Sequence, residues 1–203
     1  MNEFGAPCFP FTQEHVDELK KEIKEKKEAA LKELADLKCL GKLATRGEPD
    51  KELDLHEVTR KSEALAIAFM GGPDCPESSA VLPKLLDCQQ QLGKDKLSVI
   101  VVPMMKDGED DFHHDILSKM HNVPMIPRGD RAQAVVDAFK PVLKDIETPH
   151  VLVVDARDET GLKVYEEDAA MHIYFCGADA FPWTEESGSI TKVTHYQRFA
   201  CWC

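Results

Sequence analysis

Three apolar segments of strand length, separated by helical patterns, limit the possible folds of this sequence more than any other feature. The segments are EALAIAFM (63–70), KLSVIVVPMM (96–105) and PHVLVVDA (149–156). Each is apolar almost throughout, so we expect each to be buried on both faces of a sheet. Residues 79–92 and 129–143, between these segments, have the apolar spacing of helices. The order of elements predicts an α/β domain with a parallel element, in which helices flank both faces of the sheet.

Flanking segments add a helix and further strands to this pattern. GKLATRGEPDKELDL (41–55) is typical of a strand, a Gly-Glu-Pro-Asp turn and a return strand. MHIYFCG (171–177) is expected to be the last strand. Residues 13–40 predict an added N-terminal helix, because Thr12 can cap its start and Gly41 can end it. Its narrow apolar stripe fits a helix docked on its own domain, or a coiled-coil or partner-binding arm.

Composition and charge exclude several classes of function. The 203 residues, 43% hydrophobic and 31% charged, suit one globular domain with additions. A net charge of −12 argues against nucleic acid or an anionic membrane surface as partner, because both require basic patches. No apolar run reaches the roughly 18 residues of a membrane span, and the start, MNEFGAPCFPF, lacks the pattern of a secretory signal. Seven irregularly spaced cysteines make a poor disulfide framework, so we expect a cytoplasmic location.

Five landmarks in chain order carry a resemblance to a known family. They are Asp74-Cys75-Pro76-Glu77-Ser78, Leu82-Pro83-Lys84-Leu85, KDGEDDF (106–112), NVPMIPRGD (122–130) and Thr148-Pro149. In this order they resemble the tryparedoxin and nucleoredoxin branch of the thioredoxin-like proteins, where a buried strand enters a W-C-P-P-C turn and a cis-proline precedes a later strand. The resemblance covers about residues 42–184. It implies a thioredoxin-like fold, with a central mixed sheet flanked by helices, in which Pro149 is cis.

A repeated motif suggests how the chain is divided. GAPCFPFT (5–12) and GADAFPWT (177–184) share a frame that resembles the domain junctions of tandem nucleoredoxins. We therefore expect a junction segment with a helix (1–41), a thioredoxin-like domain (42–184) and an aromatic tail (185–203). Both motifs are expected to pack on the domain surface, outside the sheet. Aromatic side chains of this kind often anchor interfaces, and the candidates for partner contact are Trp183, Tyr196, Phe199 and Trp202.

The catalytic landmarks of the family are largely missing. A dithiol reductase needs one thiol at a helix N-terminus to attack the substrate and a second thiol to release the product. Cys75 has the first position, but Ser78 has the second, and a serine hydroxyl does not displace a thiolate. Asp74 replaces the family tryptophan, and its carboxylate, like that of Glu77, disfavours a neighbouring thiolate. Cys88 lies about 20 Å further along the same helix, too far for a disulfide. The sequence therefore predicts no dithiol reductase activity.

Other cysteine and histidine clusters do not complete a site. DDFHHD (110–115) gathers two histidines and three carboxylates, but no second cluster completes a metal site. We expect neither a metal nor another cofactor. The sequence gives no position for five further cysteines: Cys8, Cys39, Cys176, Cys201 and Cys203.

Two functions remain open from the sequence. The first is a catalytically degenerate domain that acts as a structural or protein-binding component, and the second is a monothiol redox protein that uses Cys75. A retained fold whose site residues have changed favours the first. The sequence also resembles the degenerate thioredoxin-like proteins of protist cortical microtubules. That resemblance implies a cytoskeletal location, with tubulin or a microtubule-associated protein as partner.

Overall fold

Helices and strands alternate along most of the chain. The computed structural model describes residues 12–34, 37–45, 48–54, 58–59, 62–72, 75–104, 123–143, 146–155, 157 and 162–184. The first elements are α1 (Gln13–Glu33), a 3₁₀ helix (Lys38–Leu40), β1 (Leu43–Thr45), β2 (Glu48–Leu53), β3 (Ala64–Met70), α2 (Pro76–Leu92) and β4 (Leu97–Pro103). They are followed by β5 (Pro124–Met125), α3 (Asp130–Phe139), β6 (His150–Asp155), β7 (Val164–Glu166), α4 (Ala170–Cys176) and a second 3₁₀ helix (Gly177–Ala180). No helix within these ranges has both the length and the apolar character needed to cross a membrane.

The strands form one mixed sheet, as the sequence predicts. Its order in the described residues is β2-β1-β5-β4-β3-β6-β7. The central strand, β3, runs parallel to β4 and antiparallel to β6. The predicted strand pair near the start of the chain is also present, since β1 and β2 are antiparallel neighbours. The second strand of that pair begins at Glu48, so the connection is shorter than the predicted four-residue turn.

Both faces of the sheet are covered by helices. Every residue of β3 and β4 is buried, and successive side chains enter opposite faces. Leu65, Ile67 and Phe69 pack in the core beneath α3 and the segment that follows α1. The alternate residues of β3 are Ala64, Ala66, Ala68 and Met70, and they pack beneath α2 and α4. On this face β3 contributes three alanines and Met70, and the neighbouring strands β4 and β6 contribute larger side chains such as Val99 and Val151.

The N-terminal helix begins where the sequence predicts but ends earlier. The Thr12 hydroxyl accepts a hydrogen bond from the His15 amide (3.3 Å), which confirms the predicted cap. α1 ends at Glu33, so the prediction of one helix over 13–40 is wrong. Leu37 has a left-handed backbone (φ 52°), which breaks the helical path. The redirected chain places Leu37 and Leu40 in the core, and Gly41 follows the short 3₁₀ helix instead of ending α1.

Within the described residues, the C-terminal part of α1 docks on the domain. Ala30 and Leu31 are partly buried against the core, and the Leu162 amide donates to the Leu31 carbonyl (3.3 Å). Lys27 forms an ion pair with Glu167. No side chain of α1 itself is fully buried.

The segment MHIYFCG is a helix and not the expected last strand. Its aromatic and β-branched residues favour a strand, but the local hydrogen bonds favour a helix. One carboxylate oxygen of Asp168 accepts from the amides of Ala170 (3.2 Å) and Val151 (3.4 Å), which fixes the start of α4 beside β6. Gly177 (φ 60°) follows the last helical residue. The last strand in the described part of the chain is β7.

Candidate functional site

Cys75 lies at the N-terminus of α2, immediately after β3 leaves the sheet. It is the N-cap residue, and its amide donates to the Gly72 carbonyl (3.0 Å). Pro76 follows in the first helical position, where a missing amide hydrogen is tolerated. The Cys75 side chain is half-buried, and the positive end of the helix dipole lies next to its sulfur. This is the position that the sequence predicts for an attacking thiol.

Ser78 lies where a resolving thiol would be needed. Its side chain is buried (3% exposed), and its Oγ is 3.0 Å from the Cys75 Sγ. The Gly71 amide donates to the same Oγ (2.9 Å). A hydrogen-bonded hydroxyl therefore takes the place of the second thiol.

The loop before β6 forms the other wall of the site. The Thr148-Pro149 peptide bond is cis, which confirms the expectation for Pro149. The Cys75 Sγ is 3.4 Å from the Thr148 carbonyl oxygen and 3.7 Å from the Thr148 Oγ1. The fold thus brings together two segments that are 73 residues apart in the chain.

Gly71 allows this close approach and was not identified from the sequence. A Cβ atom at this position would lie 2.6 Å from the Thr148 Oγ1 and 2.8 Å from the Cys75 Cβ. Thr148 was identified only as the residue before the cis-proline. The available signal was the Gly-Gly pair directly after a buried strand, because such pairs often mark a close approach of two backbones.

A carboxylate also reaches the sulfur. The Glu77 Oε2 is 3.5 Å from the Cys75 Sγ, so it can accept the thiol hydrogen and disfavours a negative charge there. Asp74, the other acidic residue named from the sequence, lies outside the described residues. Its predicted effect on Cys75 stays a prediction.

The remaining thiols of the described chain do not meet at this site. Cys39, Cys75, Cys88 and Cys176 form no disulfide bonds with one another. Cys88 is buried on α2, and burial raises the pKa of its thiol to about 11, with a further contribution from Asp87. At neutral pH this thiol is therefore protonated and unreactive. Three further cysteines lie outside the described residues: Cys8, Cys201 and Cys203.

Trp183 is a core residue, so its prediction as a partner contact is wrong. Its side chain is 0% exposed and packs with the α2 and α4 core. The indole Nε1 donates to the Gly177 carbonyl (2.7 Å), and the ring lies edge-on to Phe181 (5.2 Å between centroids). The motif GADAFPWT lies outside the sheet as expected, but it turns its tryptophan inward instead of packing only on the surface.

The other predicted contact residues lie outside the described residues. These are Tyr196, Phe199 and Trp202, together with most of the first motif (5–12). The histidine cluster DDFHHD also lies there. Among the residues that the structure does describe, no group of three histidine, cysteine or acidic side chains could hold a metal ion.

Comparison with known proteins identifies the fold. No protein-family model matches the chain, and no curated protein matches its sequence. Solved structures do match. Native tryparedoxin I from Crithidia fasciculata is 21% identical, with a TM-score of 0.55 over 72% of this chain and 93% of that one. Tryparedoxin II from C. fasciculata is 18% identical (TM-score 0.57; 75% and 95% covered), and tryparedoxin from Trypanosoma brucei is 17% identical (TM-score 0.53; 70% and 91%). These matches and the mixed, helix-covered sheet show that the chain has a thioredoxin-like fold.

Proposed function

We propose that this chain is a protein-binding, structural component with a thioredoxin-like fold, and that it does not act as a dithiol reductase. The observation that carries the proposal is the position of the Ser78 hydroxyl, 3.0 Å from the Cys75 Sγ. In a reductase of this fold, the group at that position must attack the mixed disulfide and release the product. A serine hydroxyl, which stays protonated at neutral pH, cannot do so.

The described thiols offer no replacement for the missing group. Cys88 is 13 residues along α2 from Cys75, which corresponds to about 20 Å at 1.5 Å per residue. A disulfide requires Cα atoms within roughly 7 Å. Burial and the high pKa of Cys88 further disfavour attack by this thiol.

The first half of α1 supports a binding role. Val16, Leu19 and Ile23 continue the apolar face that docks the end of the helix. Val16 and Leu19 are half-buried, and Ile23 is 40% exposed. Charged residues surround this stripe and pair along the helix, for example Lys26 with Glu22 (2.6 Å). We therefore assign the partner contacts to α1 and to the aromatic tail (185–203). Tubulin or a microtubule-associated protein is the proposed partner, on the basis of the sequence resemblance.

The purified protein should give no turnover of insulin or of a small aromatic disulfide, with either dithiothreitol or a thioredoxin reductase system. The physical reasons are that the described chain has no second thiol to resolve a mixed disulfide and that the Glu77 carboxylate, 3.5 Å from the Cys75 Sγ, disfavours the attacking thiolate. Disulfide reduction is followed spectroscopically, and Ser78→Cys is the matched variant. We expect that variant alone to fall short of the rates of tryparedoxins, because acidic residues remain beside Cys75. Turnover in the unchanged chain that Cys75→Ser abolishes would contradict the proposal.

Removing residues 185–203 should abolish recruitment to the partner and leave a single cooperative thermal transition. The described buried residues of both core clusters lie between Leu34 and Trp183, and the tail carries three of the proposed aromatic contacts. Co-purification with mass spectrometry identifies the partner, and co-sedimentation with assembled microtubules tests tubulin directly. Cys75→Ala is the control and should bind like the unchanged chain. Normal recruitment of the truncated chain, together with loss of recruitment in Cys75→Ala, would move the binding surface to the Cys75 site.

A second function, monothiol redox chemistry at Cys75, has two observations in its favour. Cys75 is half-buried, so it is partly accessible, and two hydroxyl groups lie near its sulfur, those of Ser78 and Thr148. A single thiol in such a setting can form a mixed disulfide with a partner even though it cannot complete a dithiol cycle.

A further inference from the structure

The hydrogen of the Ser78 hydroxyl has one described partner. The Ser78 Oγ is within hydrogen-bond distance of the Gly71 amide nitrogen (2.9 Å) and the Cys75 Sγ (3.0 Å). An amide N–H can only donate, so the hydroxyl oxygen is the acceptor in the first contact. The hydroxyl hydrogen is then available to the sulfur.

The thiol hydrogen of Cys75 has acceptors in other directions. The Thr148 carbonyl oxygen is 3.4 Å from the sulfur, and the Glu77 Oε2 is 3.5 Å away. Neither acceptor competes for the contact between Ser78 and the sulfur. The sulfur can therefore accept the Ser78 hydrogen and direct its own hydrogen to the carbonyl or the carboxylate. The Thr148 hydroxyl, 3.7 Å from the sulfur, is a second donor to it.

We propose that Ser78 is a positioning residue that directs its hydroxyl hydrogen at the Cys75 sulfur and thereby supports single-thiol chemistry. The inference rests on the second function above, the monothiol role of Cys75. A hydrogen bond to an ionised acceptor is roughly twice as strong as one to a neutral acceptor. Ser78 therefore favours the thiolate over the thiol, whereas the carboxylate of Glu77 acts in the opposite sense.

The reaction that Ser78 supports is exchange with a disulfide. The Cys75 thiolate attacks one sulfur of the disulfide, a new S–S bond forms to Cys75, and the other half leaves as a thiolate. The disulfide is the oxidant, so no further reactant is needed. Because the Ser78 hydroxyl cannot attack the new bond, each Cys75 reacts once, and the adduct persists until an external thiol reduces it.

The test is the rate at which iodoacetamide alkylates Cys75, followed across pH by mass spectrometry of the peptide that contains it. Ser78→Ala should react about tenfold more slowly at neutral pH, since it loses one hydrogen bond to a charged group. Its pH profile should also move to higher pH. Ser79→Ala is the matched control, because the Ser79 hydroxyl lies 3.5 Å from the Cys75 carbonyl and not against the sulfur. Equal rates for Ser78→Ala and the unchanged chain would overturn the inference.

A second pair of variants separates the hydroxyl from its effect on folding. Ser78→Thr and Ser78→Val have nearly the same shape and differ in the hydroxyl group. Alkylation of Cys75 should be faster in the threonine variant, and equal rates would again overturn the inference.

Adduct formation with a small aromatic disulfide distinguishes the inference from the function on which it rests. If alkylation depends on Ser78 but Cys75 forms no adduct, the role of Ser78 stands and the monothiol function fails. If the adduct forms but the alkylation rate of Cys75 is the same with and without the Ser78 hydroxyl, the monothiol function stands and the role of Ser78 fails.

Discussion

Trp183→Ala is expected to lower the free energy of unfolding by about 3–5 kcal/mol. The substitution empties a fully buried site in the core between the sheet and the helices α2 and α4. It also removes the donor that satisfies the Gly177 carbonyl. Urea denaturation followed by circular dichroism gives the change in free energy.

Phe175→Ala is the control for this measurement. Phe175 lies on α4, close to Trp183 in the chain, but is 53% exposed. Its removal should change the free energy of unfolding by no more than about 0.5 kcal/mol. If the two substitutions lower the free energy of unfolding by the same amount, Trp183 would not be a core residue, and its role as a partner contact would need to be reconsidered.

Gly71→Ala is expected to destabilise the protein by about 1–3 kcal/mol, the range for overpacking a closely packed site. The new Cβ would be 2.8 Å from the Cys75 Cβ and 2.6 Å from the Thr148 Oγ1. The first of these atoms is fixed by the backbone at the start of α2, so it cannot move alone. The thermal transition and the urea midpoint should both fall.

A double-mutant cycle checks the stated cause. Thr148→Ala removes the nearer of the two clashing atoms. The double variant Gly71→Ala/Thr148→Ala should therefore lose less free energy of unfolding than the two single variants lose in sum. Strictly additive costs would show that the destabilisation does not arise from contact between these two residues.

The central strands could be predicted from sequence because their environment is uniform. β3, β4 and β6 are buried on both faces, so an unbroken apolar run is sufficient evidence for each. α4 could not be predicted in this way. Its residues favour a strand, and its helical start depends on Asp168, which also binds the amide of Val151 in β6. That second contact exists only in the folded chain.

The residues of the site also fall into two groups: those that a short sequence motif identifies and those whose role depends on a distant part of the chain. Cys75, Ser78 and Pro149 were identified because each belongs to a short motif. Gly71 was not, because the need for a glycine arises from Thr148, which approaches from a distant loop. The sequence assigns Trp183 to a partner surface because a group of aromatic residues suits an interface as well as a core. Composition alone does not separate these two environments.

The docking of α1 has a consequence for the order in which the protein can assemble during synthesis. Lys27 pairs with Glu167, which the ribosome adds 140 residues later. At about 5–20 residues per second, that interval is on the order of ten seconds. The surface that receives the end of α1 does not exist during this time, although pairs such as Lys26 with Glu22 can already support the helix. The apolar stripe of α1 is then accessible to chaperones or to a binding partner, and a partner that prefers this helix could bind before the domain has finished folding.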